Sequence, residues 1–256
     1  MTTPHRSEQE SSDRLQREAA FHDTRFAADT RAATDRFYTI TAASFAHYRA
    51  RVLADVAGLD VLEYGCGTGA AAYEVAARGG RATGIDISPV AIDIARAQAR
   101  ARGLDANARF EVMNAEALAF PDASFDRICG SGILHHLDLD RAYPEIARVL
   151  RPGGYGVFLE PLGHNPLINW YRRRTPDLRT EDEHPLMRAD LTRARRYFRR
   201  VDVRCFHLAA LAAVPFRGTR LMRPLLAALL AADRLLLARR SPLRYQAWMV
   251  VMELRR

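Results

Sequence analysis

Lysine is absent from this chain of 256 residues, so all 38 basic residues are arginine, and with 30 acids the formal charge is +8. An isoelectric point near 9.9 would draw polyanions. A chain built to hold nucleic acid gathers its cations on one stripe, however. Here Arg172–Arg174 and Arg195, Arg196, Arg199 and Arg200 alternate with Asp177, Glu181, Asp182 and Glu183. The arginine excess therefore reads as compositional bias and solvated faces. Cysteine is scarce: Cys66, Cys129 and Cys205 are odd in number and far apart, which implies neither a disulfide framework nor a metal-ligand spacing. Long apolar runs are missing too. The longest, Leu225–Ala232, falls well short of the ~18 residues that span a bilayer. The opening MTTPHRSEQESS is polar, with no leader pattern, so the expectation is a soluble cytoplasmic protein.

What the chain does have is concentrated in Val61–Ala70, VLEYGCGTGA, where an apolar strand carries Glu63 near its end and runs into Gly65, Gly67 and Gly69. Glycine admits positive φ and leaves no Cβ between backbone and ligand. The alanine-rich helix that follows, predicted over Ala70–Arg78, adds free N–H groups and the positive end of its dipole. A second strand, ATGIDIS, ends in Asp86, where an acid can accept hydrogen bonds from both ribose hydroxyls. The third glycine stands one place too early for a dinucleotide fingerprint, since position 70 is alanine. These features indicate a nucleotide-like ligand other than a dinucleotide.

With those residues in place, Val52–Pro161 resembles the class I S-adenosylmethionine-dependent methyltransferases. LEYGCGTG looks like the family's first motif, and the resemblance puts Glu63, Gly65, Cys66, Gly67 and Gly69 around the cofactor's methionine end. GIDIS is similar to the second motif and implies Asp86 and Ile87 at the ribose. NAEALAFPDASFD resembles the third, implying Asn114, Ala115 and Glu116 near the adenine; the family usually carries aspartate where this chain has Asn114, and an amide oxygen can accept the same hydrogen bond. ILHHL and RVLRPGG complete the pattern, with Ser131 just ahead of the former. S-adenosyl-L-methionine is the cofactor that the resemblance implies.

Around this centre the rhythm is strand, helix, strand, with strands near 61, 83, 109, 127 and 155 and helices over Val90–Arg102 and Asp140–Leu150. Such alternation predicts a doubly wound, mostly parallel sheet with its ligand at the carboxyl ends of the strands. Ser88-Pro89 reads as a helix start and Pro152-Gly153-Gly154 as a helix stop. Later come a helix over Asp190–Arg199 and strands at Val201–Phe206 and Ala247–Leu254, the last placed antiparallel by the family pattern. The expected fold is thus a Rossmann-like, seven-stranded α/β sheet. Residues 1–57 form an N-terminal helical lid, and residues 58–256 form the methyltransferase domain, with an acceptor-side loop 160–186 and a helical insertion 208–239.

The N-terminal helices, rich in aromatic residues, are read either as a packing face or as a lid with His22, Tyr38 and Tyr48 facing the pocket; Tyr38 is counted with the cofactor residues. The leucine pairs of the insertion make one side of a helix apolar. That side suits packing on the domain or a second subunit, a roof over an apolar acceptor, or transient contact with a membrane surface.

The catalytic candidates are His135 after strand four, and Glu160 and His164 after strand five. Histidine titrates near neutrality and can take a proton from an acceptor. A carboxylate acceptor needs no base. The expected function is direct in-line transfer of the sulfonium methyl to an O, N or C atom of a small molecule, in natural-product or other secondary metabolism. The expected partners are a small-molecule acceptor and, as one option, a second copy in a homodimer, with no nucleic acid, no stable membrane association and no metal. Two alternatives stand beside it: a cofactor-binding protein that does not methylate, and an RNA methyltransferase. Base amino methylation usually shows Asn/Asp-Pro-Pro-aromatic after strand four, where this chain has GSGILHH.

Overall fold

The computed structural model describes residues 4–27, 39–176, 180 and 183–256. Seven strands form one sheet in the order β3-β2-β1-β4-β5-β7-β6. They are β1 (Asp60–Tyr64), β2 (Arg81–Asp86), β3 (Ala108–Val112), β4 (Phe125–Ser131), β5 (Leu150–Pro161), β6 (Arg200–Phe206) and β7 (Met249–Arg255). The first five are parallel, and β7 runs antiparallel between β5 and β6. The order reverses at β1, so the crevice between β1 and β4 opens at the carboxyl edge, where the glycine loop lies.

Strand residues point alternately to the two faces, and two cores result. Val61, Cys129, Val157 and Val251 lie in one, under α2 (Ala42–Val52), α3 (Ala70–Ala77) and α4 (Pro89–Ala101). Leu62, Ile128, Phe158 and Met252 lie in the other, under α5 (Leu139–Val149) and α7 (Arg188–Arg193). Burial on both faces is why these strands are nearly continuous apolar runs. Helix α4 begins as its Ser88-Pro89 signal requires, the Ser88 hydroxyl accepting the Ala91 N–H at 3.0 Å.

Three local expectations are corrected. Pro152-Gly153-Gly154 does not stop the helix; α5 ends at Val149 and the triplet lies inside β5, where the register jumps from Phe125↔Leu150 to Arg127↔Tyr155. The extra residues are a bulge that turns the strand, with Gly153 at φ 83°. Residues 160–186 are not all loop: α6 (Pro166–Arg174) starts at Asn165, whose Oδ1 accepts the N–H groups of Leu167 and Ile168 at 3.0 and 3.1 Å. Asn165-Pro166 is the same capping signal as Ser88-Pro89. The helix predicted over Asp190–Arg199 is shorter, ending as α7 at Arg193 with a 3₁₀ turn at Ala194–Arg196.

The N-terminal region divides. Helix α2 packs on the β5–β7 part of one sheet face, and Tyr48 is buried there in the core. Its phenol sits beside Cys129, and burial pushes its pKa well up. By contrast α1 (Pro4–Ala27) crosses the carboxyl edge, joining Ser88 through Asp23, Glu116 through Arg14 and His136 through Glu18. Tyr38 lies outside the described residues. In the insertion, α8 (Met222–Leu236) packs Met222, Leu225, Leu226, Leu229 and Leu230 on the core of the α2 face. Asp233 pins it, accepting the N–H groups of Leu208, Ala209 and Ala210 at 3.2, 2.6 and 3.2 Å.

Candidate active site

The carboxyl edge contains two constructions. The first is made by β1, β2 and the loop between β1 and α3. Gly65, Gly67 and Gly69 all have positive φ, at 65°, 50° and 88°. A Cβ on Gly65 would stand 2.6 Å from Ile133 Cδ1, and one on Gly69 would stand 2.6 Å from Phe110 Cε1. Only glycine folds this tightly against both neighbours. Gly69 at the N-cap of α3 has no side chain to offer, and Glu63 does that work from β1: its two oxygens accept the N–H groups of Ala71 at 3.0 Å and Ala72 at 2.7 Å. Burial pushes the Glu63 carboxyl up to about 7, against the lowering effect of those two amides. The group therefore titrates in the neutral range.

Asp86 ties the loop to β2, with Oδ2 accepting Gly67 N–H at 2.7 Å and Oδ1 accepting Ser88 N–H at 3.0 Å. Each carboxylate oxygen retains a second lone pair. Ile87, half-buried, follows it. After β3, Asn114 Oδ1 accepts Glu116 N–H at 2.9 Å, and Ala115 O accepts the Tyr64 hydroxyl. The Cys66 thiol is buried, which raises its pKa, and it lies 3.5 Å from Gly67 O. Ser131 is exposed at the end of β4.

Glu116 departs from the rest of the cofactor set. Its Oε1 accepts Asp138 N–H at 2.8 Å and pairs with Arg14, while Oε2 stands 3.9 Å from Arg141. These partners make it a brace between α1, the β3 exit and the start of α5.

The second construction follows β4 and β5. Glu160 at the end of β5 is fully buried. Its Oε1 accepts the N–H groups of Ile133 and Leu134 at 3.0 and 2.9 Å, and its Oε2 meets His135 Nδ1 at 2.7 Å. Buried carboxylates persist where their oxygens are filled in this way. The contact through Nδ1 fixes the ring and leaves Nε2 on the side away from Glu160. That Nε2 stands 3.9 Å from Glu183, which is paired with Arg172 at 2.7 Å.

His164 has a different place. Its Nε2 accepts Arg188 N–H at 3.0 Å, at the start of α7, while Glu160 is engaged by His135 and two backbone amides and the Asn165 oxygen by the amides that open α6. Residues missed from sequence are Arg14 and Glu18 on α1, while His22, named with the lid, lies with its ring edge-on to His136 at 5.3 Å. The i, i+4 spacing of Glu18 and His22 was visible, but nothing local said which edge it would meet.

A seven-stranded sheet with this strand order, a glycine loop after β1 and an acid after β2 defines a Rossmann-like methyltransferase fold. Residues 61–154, well under half of the chain, match the family model described as "Methyltransferase domain". Over 100 residues the chain is 39% identical to methyltransferase GfsG of Streptomyces halstedii, which is 38% of this chain and 36% of that protein. The chain thus spans about a third of that relative's length. Among solved structures it is similar to the geranyl diphosphate C-methyltransferase of Streptomyces coelicolor A3(2), with a TM-score of 0.61, 17% identity and coverage of 84% and 79%. The [4+2]-cyclase SpnF is also similar, with a TM-score of 0.55, 22% identity and coverage of 83% and 80%. At these identities the two structures speak to fold alone.

Proposed function

We propose that the protein is an S-adenosylmethionine-dependent methyltransferase acting on a small molecule, with the cofactor on the β1–β2 edge and the acceptor beside His135. The observation that carries this reading is the junction of the two constructions: Ile133, whose side chain lies against Gly65, also donates its N–H to Glu160, the carboxylate that holds His135. The glycine loop and the buried imidazole of His135 are thereby held together.

The donor set fits the cofactor. Gly65, Gly67 and Gly69 leave bare backbone, Asp86 has lone pairs to spare for two ribose hydroxyls, and Glu63 supplies negative charge for the amino acid end, with Cys66 and Ile87 lining the loop. Asn114 and Ala115 lie at the β3 exit, where adenine would be held, and Ser131 closes the β4 side. When bound, S-adenosylmethionine brings an electrophilic methyl on a sulfonium. The residues of this chain bind, orient and keep water out. His135 Nε2 takes the proton of an acceptor hydroxyl, amine or carbon acid, while Glu160 acts as the positioning residue that fixes its tautomer. Helix α1 is the lid over that edge. His164 has no part in this assignment.

Titration calorimetry with S-adenosylhomocysteine tests the reading. The wild type should bind it and not NADH, and Asp86→Ala should weaken it; tight NADH binding without S-adenosylhomocysteine binding would overturn it. The acceptor is a small molecule, and the composition favours no nucleic-acid partner.

A further inference from the structure

We propose that Glu18 and His22 of α1, with His136 of the 3₁₀ turn after β4, form a binding site for one divalent transition cation of the zinc class. The proposal rests on side-chain geometry and does not depend on methyl transfer. One turn of helix puts residues i and i+4 on the same face, and Glu18 Oε2 stands 3.5 Å from His22 Nε2. From a different part of the chain, His136 Nδ1 comes within 3.1 Å of the same oxygen. All three ligand atoms lie within 4.8 Å of one another. A tetrahedral zinc with bonds of roughly 2.0–2.1 Å sets its ligands about 3.3 Å apart, close to the two separations observed.

Burial makes the arrangement informative. Glu18 is 4% exposed, and Oε2 of Glu18 and Nδ1 of His136 are buried without a hydrogen-bond partner. At 3.1 Å the two atoms pair with each other across the edge, and a cation beside them would take both as ligands in place of that contact. The other oxygen of Glu18 accepts the Thr180 hydroxyl at 2.5 Å, the kind of outer contact that fixes a ligating carboxylate.

Two imidazoles and one carboxylate select the metal. Magnesium and calcium prefer oxygen ligands throughout, whereas zinc takes mixed nitrogen and oxygen sets and leaves a fourth position open. A second group, His135, His136 and Glu183, shares His136. It is the weaker of the two because its carboxylate, Glu183, is already paired with the Arg172 guanidinium at 2.7 Å. A cation at the first group would fasten α1 across the carboxyl edge, next to His135.

The test is a zinc titration by calorimetry of protein first stripped with EDTA, repeated with cobalt(II) to read coordination from its visible absorption. One equivalent is expected, with a tetrahedral cobalt spectrum. Glu18→Gln and His22→Ala should each weaken zinc by at least about 100-fold, since even outer-contact losses at metal sites cost 10–100-fold. His47→Ala, on α2, should bind as the wild type does. S-adenosylhomocysteine is titrated into the same samples, so that loss of the cofactor reading and loss of the metal reading are seen separately. Absence of saturable zinc binding, an octahedral cobalt spectrum, or binding unchanged in both variants would overturn the site. Binding lost in Glu183→Gln but kept in His22→Ala would overturn it in favour of the second group. Should a variant fail to fold by circular dichroism, the wild-type stoichiometry and cobalt spectrum decide.

Discussion

The two halves of the carboxyl edge are built in opposite ways. At β1–β2 the functional groups lie within 24 positions of one another, Glu63 to Asp86, and each is held by backbone amides of its own neighbourhood: Ala71 and Ala72 for Glu63, Gly67 and Ser88 for Asp86. At β4–β5 the groups come from α1, the turn after β4, the end of β5 and the segment after α6, and side chains hold one another: His135 by Glu160, His136 by Glu18, Glu183 by Arg172. A site held by backbone survives sequence drift among its neighbours, while a site held by side chains changes with any one of them. The first half would therefore be shared among enzymes with one cofactor, and the second would set what each of them methylates.

Separating the halves by mutation sharpens the contrast. The largest effect is expected on the side-chain half. His135→Ala should lower turnover by roughly 10²-fold or more, leaving S-adenosylhomocysteine affinity nearly unchanged. Single-turnover kinetics on the native acceptor, with calorimetry beside them, would show whether the two readouts part in this way. Turnover kept in the variant would remove His135 from the proposed transfer.

On the backbone half, Asp86→Ala removes the charged acceptor for the ribose and should cost about 1.5–3 kcal/mol of S-adenosylhomocysteine binding. Circular dichroism should show the fold intact, since the lost bonds to Gly67 and Ser88 are replaceable by water at a half-buried position. An affinity equal to wild type would mean that Asp86 only ties the loop.

A smaller effect is expected from pH. With its carboxyl raised to about 7 by burial, Glu63 keeps its proton below that value and is ionised above it. A cofactor with a cationic amino acid end binds the ionised form better, so affinity should rise about tenfold between pH 6 and 8 and level off above. Calorimetry across that range checks the sign, and Glu63→Gln should flatten the profile. A rise that persists in the variant would assign the titration to another group.

The smallest effect belongs to Asn165, which lies behind the acceptor side. Asn165→Ala removes the cap of α6 and should lower stability by about 1 kcal/mol, read from the denaturant midpoint. Cofactor binding should not move. A variant that weakened both would show that the two halves of the edge are less independent than their hydrogen bonds suggest.

Much of the first half could be read without coordinates. The Rossmann-like sheet, its seven strands, the helix begun by Ser88-Pro89 and the antiparallel last strand all appear as expected. The exceptions are instructive. Pro152-Gly153-Gly154 carries the residues of a helix stop, but the same residues suit a bulge, and only pairing with β4 chose between them. Asn165-Pro166 was a legible cap that went unused because a polar, proline-rich stretch suggested loop. Tyr48 and His22 looked alike as aromatic members of N-terminal helices, yet one is buried beneath the sheet face and the other meets His136 at the strand ends.

By itself, then, the sequence determined the sheet, the glycine loop and the place of Asp86, because strand periodicity, positive φ and capping act over a few residues and leave their mark in adjacent positions. Tertiary structure alone decided that Glu160 would hold His135 and not His164, that Glu116 would brace Arg14, and that Glu18 and His22 would converge on His136. Those meetings join residues as far apart as Glu18 and His136, and the path of α1 across the edge is set by packing and by buried charge pairs whose partners no local pattern names.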